Sequence, residues 1–79
     1  MHYVYILRSL KDEKHYTGFS SDLRSRIKHH QAGKVQSTKN RRPLELIYYE
    51  AYKEKAQALK REKFLKTTKG KLQLRKQIE

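Results

Sequence analysis

The sequence contains no cysteine and no long apolar run, and each absence excludes a class of protein. Without cysteine, neither a disulfide framework nor a thiolate metal site can stabilise the fold, so packing and secondary structure must suffice. The apolar start at residues 1–7 is far shorter than the roughly 18 residues of a membrane span, and it lacks the basic beginning of a signal peptide. We therefore expect a protein that works in the cytoplasm and does not enter a membrane.

Acidic residues are also few: 8 Asp and Glu stand against 20 Lys and Arg, which gives a formal net charge of +12 on 79 residues. Such an excess repels itself, and its usual use is to bind a polyanion, because each Lys or Arg near a phosphate releases condensed counterions. A merely solubilising surface is the alternative. A lipid surface is less favoured, because no predicted helix combines a basic face with a bulky apolar one. The composition therefore points to nucleic acid as the partner.

The residues that are present predict one domain over residues 1–79, of class α+β, with a small three-stranded antiparallel sheet flanked by helices in the order ββαβαα. β-branched and aromatic residues favour the strands, and good helix formers favour the helices. A Ser20 or Ser21 cap starts the first helix and Gly33 ends it. The other predicted elements are strands at residues 3–8, 15–18 and 44–52, a polar basic loop at residues 34–43, and helices at residues 53–66 and 69–78.

One carboxylate stands out on the helix predicted at residues 53–66. Ala58, Leu59 and Leu65 form its apolar stripe, and Glu62 lies on that stripe at helical spacing. A carboxylate facing a core is costly unless it is paired, hydrogen-bonded or bound to a metal ion. Spacing alone favours an ordinary salt bridge to a basic neighbour and leaves a metal site as the alternative.

The six tyrosines are numerous for a chain of 79 residues. Tyr5 and Tyr16 lie on the two strands of the predicted hairpin, so they are expected to be neighbours. Taken singly, a tyrosine in such a place is more readily explained as a core rim or a stacking surface than as a catalytic group. On the following helix, Arg26 and His30 flank the buried apolar stripe instead of pointing away from it.

Three short elements, in order and at suitable spacing, resemble the GIY-YIG nuclease superfamily, in particular its small stand-alone branch. Tyr3-Val4-Tyr5 and, after ten residues, Tyr16-Thr17-Gly18 are similar to the paired GIY and YIG elements. Arg26 lies ten residues after Tyr16, where the family places an arginine on its catalytic helix. The segment Ala58-Leu59-Lys60-Arg61-Glu62 resembles the later helix that presents a metal-binding glutamate. The resemblance covers nearly the whole chain.

This resemblance implies a divalent-metal-dependent endonuclease that hydrolyses DNA phosphodiester bonds in DNA repair or processing. Glu62 would anchor one Mg²⁺ or Mn²⁺, and Arg26 would pair with the scissile phosphate. Tyr5 is the preferred general base, with Tyr16 orienting water or phosphate, and the reverse assignment stays open. We expect the cationic surroundings to lower the pKa of the tyrosine base from its reference value of about 10. His30 would hydrogen-bond a tyrosine or the phosphate.

The basic loop and the last helix are expected to hold backbone phosphates of the nucleic acid. Their candidate contact residues are Lys34, Lys39, Arg41, Arg42, Lys69 and Lys71. Neither segment contains a base-reading motif such as a zinc finger or a helix-turn-helix, so we expect structure-selective or weakly sequence-selective binding. Two alternatives remain: a protein of the same fold that binds nucleic acid without cutting it, and an RNA- or ribosome-associated basic protein whose tyrosines stack on bases. The second gives no role to Glu62.

Overall fold

The computed structural model describes residues 1–78 and contains the predicted elements in the order ββαβαα. The strands are β1 (His2–Ser9), β2 (His15–Ser20) and β3 (Leu44–Tyr52), and the helices are α1 (Leu23–Gln31), α2 (Lys55–Leu65) and α3 (Thr68–Ile78). A short 3-10 turn, Lys39–Arg41, lies within the predicted loop. The α+β class with its three-stranded antiparallel sheet is confirmed. No helix in this described part of the chain is long and apolar enough to cross a membrane.

The strand order is β2-β1-β3, so β1 is the central strand and pairs antiparallel with both neighbours. A central strand is hydrogen-bonded along both edges and covered on both faces, which suits the apolar and aromatic residues 4–7. All four of these residues are at most 1% exposed. Tyr5 is the register partner of Gly18 on β2 and of Tyr49 on β3. The middle of β1 therefore lies within the core and supplies buried side chains to both faces of the sheet.

Side chains alternate along β1, so consecutive residues face opposite sides of the sheet. One side packs against α2 and α3, and we call it the helix-pair face. Its buried apolar core consists of Val4, Ile6, Ala58, Leu65 and Leu74. The opposite side packs against α1, and we call it the α1 face. Its buried residues are Tyr5, Leu7 and Leu44, against which Leu23 and Ile27 of α1 pack.

The first helix begins at a different cap from the predicted one. Asp22, and not Ser20 or Ser21, is its N-cap, and the Asp22 Oδ1 accepts a hydrogen bond from the Ser25 backbone N–H at 3.1 Å. The Ser20 hydroxyl is instead hydrogen-bonded to the Asp22 backbone. It accepts from the Asp22 N–H and donates to the Asp22 carbonyl, both at 3.0 Å. Gly33 follows the helix with a φ of 76°, a left-handed conformation that ends a helix, as predicted.

A charged network fastens α2 to β3 on the helix-pair face. Arg61 Nε and Nη2 donate to the two carboxylate oxygens of Glu50 at 2.9 and 3.1 Å. The hydroxyls of Tyr48 and Tyr52 donate to the same carboxylate at 2.5 and 2.6 Å. Burial opposes ionisation of Glu50, but the hydrogen bonds from Arg61 and the tyrosines outweigh it and lower the Glu50 pKa. Because Glu62 follows Arg61 directly on α2, this network also fixes the position of Glu62 relative to the sheet.

Candidate active site

The Tyr5 hydroxyl is the point at which the predicted site residues converge. The Tyr5 side chain lies on the α1 face and is fully buried. His30 Nε2 is 2.7 Å from the hydroxyl, and Arg26 Nε donates to it at 3.4 Å. Arg26 and His30 are four residues apart on α1, so helical spacing puts both side chains on the same face. The structure therefore brings three of the predicted catalytic residues into direct contact.

Gly18 makes room for this arrangement. It lies opposite Tyr5 on β2, and a Cβ at this position would collide with Cζ and the hydroxyl of the Tyr5 ring. A side chain here would therefore displace the phenol from Arg26 and His30. The glycine that closes the YIG-like element is needed for the close approach of an aromatic ring to the backbone.

His30 is a fully buried histidine whose two ring nitrogens are both hydrogen-bonded. Nε2 faces the Tyr5 hydroxyl, and Nδ1 is 2.7 Å from Thr38 Oγ1. Arg26 can only donate, so the phenol oxygen accepts from Arg26 and the phenol O–H has His30 Nε2 as its acceptor. With the phenol O–H assigned as the donor to Nε2, His30 carries its proton on Nδ1 and donates it to Thr38. Burial, with a smaller contribution from the charge of Arg26, lowers the pKa of His30 to about 4, so the ring is neutral at neutral pH.

Thr38 is a site residue that the sequence did not reveal. It lies in the loop that was predicted only as polar and basic, yet it is fully buried with its hydroxyl on His30. Its backbone N–H donates to the Val35 carbonyl at 3.1 Å, and Val35 is itself buried. A single threonine among polar loop residues gives no periodic signal, so only the tertiary fold identifies it.

Tyr16 lies beside Tyr5, as predicted, but is more accessible. Its ring centroid is 6.4 Å from that of Tyr5 and 5.3 Å from that of His30. Its register partner on β1 is Leu7, so it is a diagonal neighbour of Tyr5 on the same face of the sheet. The Tyr16 side chain is half-buried, and Ser37 Oγ donates to its hydroxyl at 3.5 Å. The two tyrosines therefore share one site with different access to solvent.

The expected lowering of the tyrosine pKa is wrong for Tyr5. Burial is the largest influence and raises the Tyr5 pKa, whereas the hydrogen bond from Arg26 lowers it by less. The nearby Tyr16 and Glu62 raise it further. The hydrogen bond with Tyr5 in turn raises the Arg26 pKa, so the guanidinium remains charged. Desolvation thus keeps the Tyr5 phenol protonated despite the strongly basic chain.

Glu62 lies on α2, which packs on the opposite face of the sheet from the Tyr5 side chain. The charge of Glu62 is the smallest of the influences that raise the pKa of Tyr5. Glu62 Oε2 is 3.3 Å from Lys66 Nζ, so the salt bridge that helical spacing favoured is present, and the Glu62 side chain is 20% exposed. Ala58 and Leu65 are buried as predicted, but Leu59 is 40% exposed, and its assignment to the buried stripe is wrong.

The donor set fits a hydrated divalent ion better than a closed metal cage. Among residues 1–78 no group of three or more His, Asp or Glu side chains could enclose a metal ion. Mg²⁺ needs only one or two carboxylates, because it keeps several waters and takes oxygens from a substrate phosphate. Glu62 offers such a carboxylate at a partly exposed position. Its pair with the exposed Lys66 stabilises the fold by only about 0–1 kcal/mol, so a metal ion could displace the lysine.

The basic loop residues divide into two groups. Lys34 and Lys39 extend into solvent, whereas the two arginines also brace the loop. Arg41 Nε is 3.5 Å from a carboxylate oxygen of Asp12, and Arg42 Nε donates to the Lys39 carbonyl at 3.0 Å. The loop also reaches the tyrosine cluster through residues 37 and 38.

The predicted contacts on α3 lie on the other side of the sheet. Lys69 and Lys71 are exposed. Lys71 borders a surface hollow of about 580 Å³ together with Lys14 and Thr17 of the hairpin. Basic side chains from the loop and from α3 therefore both adjoin the β1–β2 hairpin, which carries the two tyrosines of the site.

The sequence is similar to known proteins along nearly all of its length. Residues 1–76 match the GIY-YIG catalytic domain, and this span includes every predicted site residue. A UPF0213 protein of Staphylococcus haemolyticus is 45% identical over 67 residues, covering 84% of this chain and 80% of that protein. A UPF0213 protein of Staphylococcus epidermidis is 46% identical with the same coverage. The solution NMR structure of a UPF0213 protein from Bacillus halodurans has a TM-score of 0.58 and 39% identity, covering 92% of this chain and 80% of that chain.

Proposed function

This chain belongs to the GIY-YIG family, and on that premise we propose that it is a divalent-metal-dependent endonuclease that hydrolyses phosphodiester bonds of DNA. The observation that carries the proposal is the convergence of Arg26, Tyr16 and His30 around the Tyr5 phenol. The charge of Glu62 also contributes to the raised pKa of that phenol. Phosphodiester hydrolysis needs an activated water and stabilisation of charge on the phosphoryl oxygens, which an accessible hydroxyl, an arginine and a carboxylate that holds a metal ion can supply. The net charge of +12 supports a polyanionic substrate.

Arg26 is proposed to bind the scissile phosphate. Its guanidinium remains cationic, because the hydrogen bond with Tyr5 raises its pKa. It is also half-buried and held by Tyr5, so little side-chain freedom is lost when a phosphate binds. A planar guanidinium can donate two parallel hydrogen bonds to phosphate oxygens, which a lysine cannot do.

We assign the general base to Tyr16 and a positioning role to Tyr5, the reverse of the preference from sequence. Tyr5 is fully buried and its pKa is raised, so it has neither access to an attacking water nor a tendency to ionise. The half-buried Tyr16 is in contact with the same histidine. Tyr5 and His30 would then hold Arg26 and the Tyr16 ring in place.

Glu62 is the residue proposed to hold Mg²⁺ or Mn²⁺. When bound, such an ion supplies a Lewis acid that stabilises charge on the phosphoryl oxygens. The Glu50–Arg61 network would keep α2, and therefore Glu62, at a fixed distance from the tyrosine cluster. The Lys66 side chain would leave the carboxylate when the ion binds.

The nuclease proposal is tested by Glu62→Gln, which keeps the size of the side chain and removes its charge. Cleavage of a panel of nicked, branched, single-stranded and duplex DNA with Mg²⁺ or Mn²⁺ should be abolished, while the thermal midpoint is unchanged or slightly raised. Glu54→Gln is the matched control, because Glu54 is an exposed glutamate directly before α2. Equal activity of wild type and Glu62→Gln would contradict the metal assignment.

Binding is tested separately by charge reversal in the loop. Lys34→Glu and Lys39→Glu should weaken binding to all DNA sequences alike and reduce its salt dependence between roughly 50 and 200 mM salt. Lys53→Glu, at an exposed position just beyond β3, gives the same change in net charge as a control. Tight binding without cleavage of any substrate would favour a non-cleaving binder. A preference for RNA with no effect of Glu62→Gln would favour the RNA-associated alternative.

A further inference from the structure

The α1 face of the sheet is covered over only part of its width. α1 has nine residues and lies over Tyr5 and Leu7 of β1, and beside it a groove of about 690 Å³ runs between α1 and β3. We call this the α1–β3 groove. Aromatic, aliphatic and basic side chains line it, among them Tyr3, Tyr49, Leu46, Ile27, Arg24 and Lys28.

The groove exposes large apolar side chains that have no cover. Tyr49 is 53% exposed and Leu46 is 37% exposed, although both lie on a strand of the sheet. The rings of Tyr3 and Tyr49 meet edge to face, with centroids 6.2 Å apart and an angle of 62° between their planes. The two rings are therefore not stacked on each other, and a planar group can stack on Tyr49. An exposed apolar patch with a polar rim is characteristic of a binding surface.

The charges around the groove favour an anionic occupant. Arg24 and Lys28 lie on its α1 side. Asp22 also borders the groove, but its carboxylate accepts the hydrogen bond of the Ser25 backbone that caps α1. A second copy of this chain also carries a net charge of +12, so self-association through the groove is opposed by repulsion. A ligand with an aromatic ring and a phosphate can stack its ring on Tyr49 and place its phosphate near Arg24 and Lys28.

We propose that the α1–β3 groove binds an unpaired nucleotide, with its base stacked on Tyr49 and its phosphate held by Arg24 or Lys28. This proposal rests on the proposed function, because it assigns the part of the substrate next to the bond that is cut. Base stacking on an exposed tyrosine requires a base whose face is free, and a base inside a duplex has none. The groove therefore selects a single-stranded overhang, a flap or a gap over a fully paired duplex.

The position of the groove suits this role. Tyr3 and Tyr5 are two residues apart on the same face of β1, which corresponds to about 7 Å along the strand. On α1, Ile27 in the groove directly follows Arg26 in the tyrosine cluster. A strand whose phosphate reached Arg26 would thus present an adjacent unpaired nucleotide to Tyr49.

Binding of oligonucleotides without divalent metal tests the groove independently of cleavage. The probes are a blunt DNA duplex and the same duplex with a single-stranded overhang, each titrated by fluorescence anisotropy into wild type, Tyr49→Ala and Tyr49→Phe. Tyr49→Ala should bind the overhang substrate roughly 5- to 150-fold more weakly, because stacking of one base is lost, and should bind the blunt duplex as wild type does. Tyr49→Phe retains the ring and should retain the affinity. Leu10→Ala is the matched control, because Leu10 is 48% exposed and lies outside the groove.

Three outcomes would overturn the proposal: unchanged affinity of Tyr49→Ala for the overhang, an equal loss for both probes, or a wild-type dimer that Tyr49→Ala dissociates in sedimentation. The last would assign the groove to a second copy of the chain. Cleavage with Mg²⁺ or Mn²⁺ is then measured on the same overhang substrate. Selective binding without cleavage would leave the groove in place and contradict the nuclease function. Equal cleavage of the overhang substrate by wild type and Tyr49→Ala would support the nuclease function and contradict the assignment of the groove.

Discussion

The helix-pair face and the α1 face of the sheet carry different kinds of side chain. The first is closed by two helices over an apolar core, with its charged groups gathered in the Glu50–Arg61 network at one side. The second is covered by one short helix, encloses a hydrogen-bonded chain from Arg26 through Tyr5 and His30 to Thr38, and leaves a groove beside β3. A central strand with alternating side chains serves both faces at once.

This difference indicates how a small chain combines stability with a site. Burying hydroxyl and imidazole groups contributes little to stability unless every group is hydrogen-bonded, so the α1 face depends on complete pairing. The apolar core of the helix-pair face gains its stability from apolar contact, which needs no hydrogen-bond partners. We therefore expect substitutions in the apolar core of the helix-pair face to change folding, and substitutions in the hydrogen-bonded chain of the α1 face to change activity as well.

The largest expected effect is Leu65→Ala on the helix-pair face. Leu65 is fully buried in the apolar core, and its truncation leaves a cavity that should lower the free energy of unfolding by about 2–5 kcal/mol. Leu59→Ala on the same helix should change it by less than about 0.5 kcal/mol, because Leu59 is 40% exposed. Urea unfolding measures both. Loss of cleavage by the folded fraction of Leu65→Ala would contradict the claim that the apolar core of the helix-pair face affects folding alone.

The next effect is the pH dependence of stability that His30 contributes. The folded state holds His30 neutral with a pKa of about 4, whereas the unfolded chain takes up a proton near its ordinary value of 6.5. The contribution of His30 to the free energy of unfolding is therefore fully present above pH 6.5. It is lost as the pH decreases toward 4, by at most about 3 kcal/mol. Urea unfolding at several pH values should lose this slope in His30→Gln and retain it in His29→Gln, whose position is exposed. An unchanged slope in His30→Gln would show that another group is responsible.

Two glycine substitutions compare the faces directly. Gly70→Ala would press a methyl group against the Phe64 carbonyl between α2 and α3, and Gly18→Ala would press one against the Tyr5 ring. Each should lower the free energy of unfolding by about 1–3 kcal/mol through overpacking. Single-turnover cleavage, corrected for the folded fraction, should be lost only in Gly18→Ala. Equal activity of the two variants would mean that the position of Tyr5 is unimportant.

The smallest effect is expected from Thr38→Val, which keeps the shape of the side chain and removes its hydroxyl. His30 Nδ1–H would then be buried without a partner, which should lower the free energy of unfolding by about 1–2 kcal/mol. Because the histidine could rotate to find a new partner, Tyr5 would also lose its acceptor and cleavage should slow. Thr68→Val, at an exposed position at the start of α3, is the control. Full activity in Thr38→Val would show that the Thr38 hydroxyl is not needed to hold His30 and Tyr5 in position.

The predicted part of the site was the part with a short-range pattern. Helical spacing placed Arg26 and His30 on one face of α1, and the hairpin placed Tyr5 near Tyr16, as the structure has them. The assignment of Leu59 to the buried stripe failed, because a regular spacing does not say how much of a helix surface the sheet covers. Thr38 was missed because it lies in an irregular loop, eight residues after its partner His30 on α1.

The sequence by itself determined the fold class, the element order and the residue types of the site, because alternation, capping and helical period are local properties. Tertiary structure alone decided how deeply each group is buried. Tyr5 and Tyr16 are the same residue type in one site, yet only Tyr5 is completely enclosed, and its pKa is raised despite a chain with a net charge of +12. The physical reason is that desolvation depends on all the atoms around a group, and those atoms come from β1, β2, α1 and the loop together.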